Sequence, residues 1–311
     1  MATYNLFSAA LPTLQIAWDS TSLGELKSCP KRYWYKYIRQ RQTLGSSIHL
    51  TFGGAYHKAL EIYDHKKSEG MDHEEAQLEA VAYCLTFPDD PETRDDKKNR
   101  ESLTRTVSWY LDHFADDSAE TLILANGKPA VELSFRIELD AIHSRTPEGD
   151  PFFLCGHLDR VVSFQGHIYY LDRKTTGGSL SQSFFAAFSP NNQMSLYDFA
   201  SSVIIPNQIA GGIIDAAQIG ATFSRFARHI IHRSPDQREE FLQNTEYYIN
   251  LARFYSENNY WPMNDKACSD YGGCAYQGPC SRPESLREIY LSDPSRFTDG
   301  LWNPLEVRGD I

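Results

Sequence analysis

Two aspartates and a lysine carry the chemistry this sequence offers. Asp159 closes the run Gly156–His157–Leu158–Asp159, and Asp172 and Lys174 stand two residues apart in Leu171–Asp172–Arg173–Lys174. Phe152 to Val162 and His167 to Lys174 are mostly apolar and rich in Phe, Val, Ile and Tyr. Ser163–Phe164–Gln165–Gly166 between them supplies a turn, so the pair predicts a β-hairpin. Side chains alternate along a strand, which puts Asp172 and Lys174 on one face. If the strands pair near the turn, Asp159 faces them across the ladder. Two carboxylates so placed hold a hard divalent cation, and an ammonium beside them orients or deprotonates a water. The alternative is a cross-strand salt bridge on a solvated sheet face. The apolar runs ahead of both aspartates favour a buried site, where a charge must be paired or bind a metal.

Several other elements must position such a site. Ala55 to His65 follows Phe52–Gly53–Gly54 and carries Tyr56, Ala59, Leu60 and Tyr63 at helical spacing, so His57 lies beside a buried stripe with Glu61 one turn on. A histidine in that setting alone reads as structural or surface-exposed before it reads as a ligand. Ala130 to Leu139 alternates strictly: Val131, Leu133, Phe135, Ile137 and Leu139 on one side, Glu132, Ser134, Arg136 and Glu138 on the other. That pattern predicts a half-buried strand. Ser189–Pro190–Asn191–Asn192 opens a helix over Gln193 to Ala200, with Gln193 and Tyr197 one turn apart on a shared face. Asp72 to Thr86 and Leu103 to Phe114 predict two more helices, separated by a charged, exposed loop over Asp89 to Arg100. Asp140 to Asp150 reads as a polar loop, and Ile209 to Ile219 and Ala221 to His232 as strands. Ser234–Pro235–Asp236–Gln237 starts a helix whose core stripe is Phe241, Thr245, Tyr248, Ala252 and Tyr255.

Thr21 to Arg41 is the one locally basic, aromatic-laced segment, broken by Pro30 directly after Cys29. Lys31, Arg32, Tyr33 and Lys36 there suit phosphate contacts with base stacking; the alternative is an amphipathic helix with a solvated basic face. Near the other end, Cys268, Cys274 and Cys280 punctuate a Gly-, Tyr- and Pro-rich loop. Three cysteines are one short of a closed metal site. Cys29 is the candidate fourth, because Cys84 and Cys155 fall inside apolar elements and read as core thiols.

The 311 residues can bury a substantial core, and an aromatic content of 13% excludes extensive disorder. A net charge of −11 argues against a basic coat for non-specific nucleic-acid binding, though not against a local basic groove. No run approaches the roughly 18 apolar residues of a membrane span. Met1 to Ser20 lacks the basic residues of a secretory or transit signal, so a cytoplasmic protein is expected, with its six cysteines as thiols or metal ligands.

In order, Cys29-Pro-Lys-Arg-Tyr, Gly53-x3-His57, Gly156-His-Leu-Asp159, Asp172-x-Lys174, Gln193-x3-Tyr197 and Cys268, Cys274, Cys280 resemble the RecB-like, iron–sulfur branch of the PD-(D/E)xK nuclease superfamily. The likeness runs over residues 21–283 and extends to AddB-type, CRISPR-adaptation, phage and exonuclease V-type enzymes. It implies an α/β fold, a central mixed sheet flanked by helices, with a helical insertion and an iron–sulfur clip. The chain would form a single nuclease domain: N-terminal helices over 21–65, the insertion over 66–128, the catalytic sheet over 129–232, and a C-terminal helix with the cysteines over 233–311. By resemblance, His57, Asp159, Asp172 and the main-chain carbonyl of Arg173 bind Mg²⁺ or Mn²⁺. Lys174 activates or positions water, while Gln193 and Tyr197 orient the lysine, the metal or the DNA backbone. Cys29, Cys268, Cys274 and Cys280 hold a 4Fe–4S cluster. Many relatives have two residues in the first late gap where this chain has five, and Zn²⁺ is the alternative there. The implied activity is a DNA exonuclease acting at single-stranded ends in repair, recombination or phage DNA processing, with a helicase or recombination protein as possible partner. The other class is a non-catalytic DNA-binding or scaffold subunit of a helicase–nuclease-type complex.

Overall fold

The structure, a computed structural model, describes residues 5–44, 47–88 and 95–306. The chain opens with β1 (Ala17–Trp18), α1 (Ser20–Ser28), α2 (Pro30–Tyr33), a π-helical turn (Trp34–Ile38) and β2 (Arg41–Thr43). Three helices follow, α3 (Ile48–Ser68), α4 (His73–Cys84) and α5 (Arg100–His113), then the strands β3 (Glu120–Thr121), β4 (Val131–Glu138), β5 (Phe153–Phe164) and β6 (His167–Thr176). Next come α6 (Gln182–Ala186), α7 (Asn192–Ile204), β7 (Ile209–Ile219), β8 (Ser224–Ile231) and α8 (Pro235–Glu257). A 3₁₀ turn (Asp265–Gly272), α9 (Gln277–Cys280), α10 (Glu284–Leu291) and β9 (Phe297–Asp299) complete it.

These elements sort into two compact units that alternate along the sequence. One gathers the described residues of Met1–Gly45, Arg136–Gly156 and Pro235–Glu306; the other, those of Ser46–Phe135 and His157–Ser234.

The second unit is built on the expected hairpin. Phe164 pairs with His167 and Arg160 with Leu171, so the strands run further than expected and the turn shrinks to Gln165–Gly166. Both turn residues take positive φ (49° and 78°), the two-residue geometry whose twist matches that of the strands. Antiparallel β5–β6 continues into a parallel β6–β7 pair and an antiparallel β7–β8 pair, with β3 and β4 both on β5. The sheet is therefore mixed. Helices cover both its faces. On one, Phe52, Tyr56 and Leu60 of α3, Ala80 and Cys84 of α4, and Leu103, Val107 and Leu111 of α5 form one buried cluster with Ala217 and Ile219 of β7. The segment expected as a helical insertion is thus a full layer of this unit's core. On the other face, the Tyr170 ring lies over Gly212, where any Cβ would sit 2.2 Å from it, and its hydroxyl donates to the Met194 carbonyl of α7.

Three expectations shift in detail. Of the expected exposed loop, positions 89–94 lie outside the described residues; Lys98 and Asn99 are buried, because Asn99 caps α5 in a reciprocal box with Ser102. Along β4, Glu132 and Ser134 are buried too, so its polar side is not solvated there. The core stripe of α8 is Phe241, Thr245, Ile249, Ala252 and Ser256, with Tyr248 and Tyr255 only half-buried.

In the first unit, Ala17 and Trp18 pair in parallel with Phe153 and Leu154. Its aromatic core stacks Tyr33 between Trp18 and Tyr37, with Trp261 alongside at 5.3 Å. Arg41–Thr43 pairs with Phe297–Asp299. Pro30 interrupts the helix as expected: Cys29 is extended (φ −154°, ψ 105°) between α1 and α2.

Candidate active site

Five elements of the second unit converge here: α3 brings His57, β4 Glu132, β5 Asp159, β6 Asp172 and Lys174, and α7 Gln193 and Tyr197. Helix α3 is capped by Ser47 and buries Phe52, Tyr56, Ala59 and Leu60, which turns His57 toward the hairpin. Its Nδ1 lies 3.3 Å from Asp159 Oδ2. The same carboxylate oxygen accepts the backbone N–H of Arg173 at 2.7 Å. Asp172 and Lys174 share a face, with Lys174 Nζ 2.6 Å from Asp172 Oδ2. The ammonium also donates to Gln193 Oε1 at 3.0 Å, and Gln193 Nε2 donates to the Tyr197 hydroxyl at 3.0 Å. This ion pair lies within one strand rather than across two, and its carboxylate is buried rather than solvated: Asp172 is 1% exposed.

Glu132 is the site residue that sequence reasoning missed. Among the described residues, His57, Glu132 and Asp159 are the one group of three or more His, Cys, Asp or Glu whose ligand atoms all lie within 4.8 Å of each other. Asp172 is not part of that trio; it stands beside it under Lys174, so Glu132 is added to the expected set of His57, Asp159 and Asp172. Alternation alone counted Glu132 as a solvated position. It takes φ +46° within β4, a left-handed kink of the kind that re-aims side chains next to functional sites. The available signal was a carboxylate on the strand preceding the hairpin, and it was too common to single out.

The donor set suits a hard divalent cation: two close carboxylates, one imidazole, and Asp172 Oδ1, which is buried without a hydrogen-bond partner. Electrostatics agree. Burial, then the neighbouring Asp159 charge, raises Glu132 to about 7. Burial likewise raises Asp172 to about 6, with Lys174 opposing and Asp159 adding to the rise. Asp159 goes the other way: burial pushes it up, but His57, Lys174 and the Arg173 amide together hold it well below the usual range. His57 is raised, because Asp159 outweighs the effect of burial.

A pH dependence follows. Glu132 and Asp172 have ordinary values of 4.5 and 3.8. Between those and their raised values the folded protein holds more protons than the unfolded chain, so their contribution to stability is complete below pH 4 and is lost as pH rises through 6 to 7. A cation needs both groups ionised and reverses that loss. Mn²⁺ should therefore raise the melting temperature strongly at pH 8 and barely at pH 5, measured by calorimetry against EDTA; equal shifts at both pH values would contradict the assignment.

A model of the PD-(D/E)XK nuclease superfamily matches residues 18–281. The chain belongs to the PD-(D/E)XK nuclease superfamily. Such nucleases usually use a divalent metal, which accords with the donor set above. No curated protein matches the sequence. Among solved structures, the chain is similar to a provisionally named exonuclease from Eubacterium rectale, at 12% identity over 86% of this chain and 91% of that one, with a TM-score of 0.47. It is also similar to SSO0001, at 14% identity over 76% of each chain, TM-score 0.35.

One expectation about the nuclease's first unit needs correction. Tyr33 is fully buried and donates to Gln15 Oε1, so it is core rather than a base-stacking platform. Arg32 and Lys36 both pair with Glu25, at 2.5 and 3.5 Å, and Lys31 lies over the Trp34 ring. The segment's charge is largely spent internally. Cys29, Cys268, Cys274 and Cys280 are free thiols that line one cavity of 180 Å³. They are not drawn into a tight ligand cluster, since no three of their sulfurs lie within 4.8 Å of one another. Cys84 and Cys155 are core thiols as expected, both pushed by burial to about 12. No described helix is long and apolar enough to cross a membrane.

Proposed function

We propose that this nuclease is a Mg²⁺- or Mn²⁺-dependent deoxyribonuclease that degrades DNA from a single-stranded end. The observation that carries the reading is Lys174, held between Asp172 at 2.6 Å and Gln193 at 3.0 Å beside the His57–Glu132–Asp159 trio. His57, Glu132, Asp159 and Asp172, with the Arg173 carbonyl, would hold the cation. Once bound, the ion polarises a phosphoryl oxygen and makes a water more acidic. The chain's own part is orientation. Tyr197 fixes Gln193, Gln193 aims the ammonium, and Lys174 presents its proton-bearing nitrogen to the water or the phosphate. Asp159 is anchored by the Arg173 amide, so its second oxygen keeps a fixed direction.

The test is degradation of end-labelled linear single-stranded DNA with Mg²⁺ or Mn²⁺, wild type beside Asp159→Ala. The expected result is metal-dependent release of short products from one end, reduced by about 10³ or more in the variant. Free cutting of circular strands while linear ones resist would overturn the end-directed mode. Absence of turnover on any DNA would move the protein to the scaffold class.

The same reading gives the cysteines a 4Fe–4S cluster. Zn²⁺, held by four sulfurs at about 2.3 Å, is the alternative occupant. Protein purified without oxygen should carry about four irons and four acid-labile sulfides per chain. One zinc and no sulfide would overturn the assignment.

A further inference from the structure

Alternation along β6 sends Asp172 and Lys174 to one face and Arg173, between them, to the other. There its guanidinium meets Asp64 of α3, Nη2 to Oδ2 at 2.5 Å, with both side chains 2% exposed. Arg160 of β5 approaches the other oxygen of Asp64 at 3.6 Å. Asp64 follows His57 by two turns of α3, which by helical geometry returns it to within about 20° of the same azimuth and about 10 Å further along the axis. The helix therefore meets the hairpin at two points, His57 on Asp159 and Asp64 on Arg173. Helix and strand are also in ordinary contact near Gly53, where a Cβ would lie 3.7 Å from Thr175 Oγ1.

The strand end of this contact is itself held. Arg173 pairs in register with Asp215 of β7, and Asp215 takes Arg228 Nη2 at 3.1 Å and the Tyr110 hydroxyl of α5. Arg228 in turn reaches Asp117 at 2.6 Å. The backbone N–H of the residue so fixed is the one that donates to Asp159 Oδ2. A buried ion pair adds little stability over a well-packed apolar pair, but it does demand one geometry.

We propose that Asp64 and Arg173 are positioning residues for the metal centre: their ion pair sets the spacing of α3 against β6, and with it the approach of His57 to Asp159. This rests on the nuclease reading of the site. Groups that orient metal ligands typically change metal affinity by about 10–100-fold when removed. A purely structural pair would instead be replaceable by apolar side chains with no effect on metal.

Mn²⁺ binding to full-length protein, followed by electron paramagnetic resonance with the metal alone, tests this. Asp64→Asn should weaken Mn²⁺ at least about tenfold. Because a single change can leave a buried charge and unfold the chain, the double variant Asp64→Leu/Arg173→Met is measured beside it. It should keep the wild-type circular dichroism and melting temperature yet bind Mn²⁺ about 10–100-fold more weakly, with kcat on single-stranded DNA reduced and KM for DNA unchanged. Wild-type Mn²⁺ affinity in the folded double variant would overturn the proposal while leaving the nuclease reading intact. A wild-type protein that binds no Mn²⁺ would remove the nuclease reading, and this proposal with it.

Discussion

Replacing Lys174 by alanine should lower the single-turnover rate of DNA cleavage by about 10³ while leaving Mn²⁺ affinity within a few-fold of wild type. The ammonium lies 2.6 Å from Asp172 and 3.0 Å from Gln193, so it is aimed by two partners but is not itself a metal ligand. Removing it takes away a fixed charge where negative charge develops on the phosphate. The groups proposed to hold the cation stay: His57, Glu132 and Asp159 are gathered within 4.8 Å without it. The measurement is a Mn²⁺ titration and a burst experiment on the same preparation. A variant that loses metal and rate together would make Lys174 a structural counter-ion of Asp172. A variant that keeps its rate would put the catalytic ammonium elsewhere.

The largest stability effect should come from a residue outside the sequence motifs. Asp215 is 1% exposed, accepts a hydrogen bond from the Tyr110 hydroxyl and pairs with Arg228 at 3.1 Å, in register beside Arg173. Asp215→Ala leaves guanidinium groups buried with too few carboxylates, which costs about 3–5 kcal/mol in typical buried networks. Urea unfolding of the second unit should show that loss as a lower midpoint with an unchanged slope. Asp299→Ala serves as a contrast, because Asp299 pairs with Arg41 at 2.5 Å with its side chain 83% exposed, and the midpoint should hardly move. A small effect for Asp215→Ala would mean that water reaches the network and solvates the orphaned cations.

Much of the site was legible because it sits on local patterns. The hairpin, the shared face of Asp172 and Lys174, and the one-turn spacing of Gln193 and Tyr197 depend only on periods of two and 3.6, which every strand and helix obeys. The break at Pro30 and the helix starts at Asp72 and Asn191 were equally local, whereas α3 begins at Ile48, ahead of the expected Ala55. The kink at Glu132 was not, since the pattern around it alternates and only its pairing to β5 reveals a left-handed residue. Tyr33 failed as a candidate for the same reason. A tyrosine between lysines and arginines reads as exposed until Trp18, Tyr37 and Trp261 are found packed on it.

The sequence by itself determined which residue types could hold a cation and an activated water, and which of them share a face, because those follow from spacing within one element. Only the tertiary structure decided which carboxylates meet. It brought Glu132 within reach of His57 and Asp159, paired Asp64 with Arg173 on the opposite face of the sheet, and left four thiols around one cavity instead of in a tight cluster. Each of these is a contact between distant elements. Its distance is set by how helices and strands pack to bury their apolar faces, a sum over many small terms that no single segment contains.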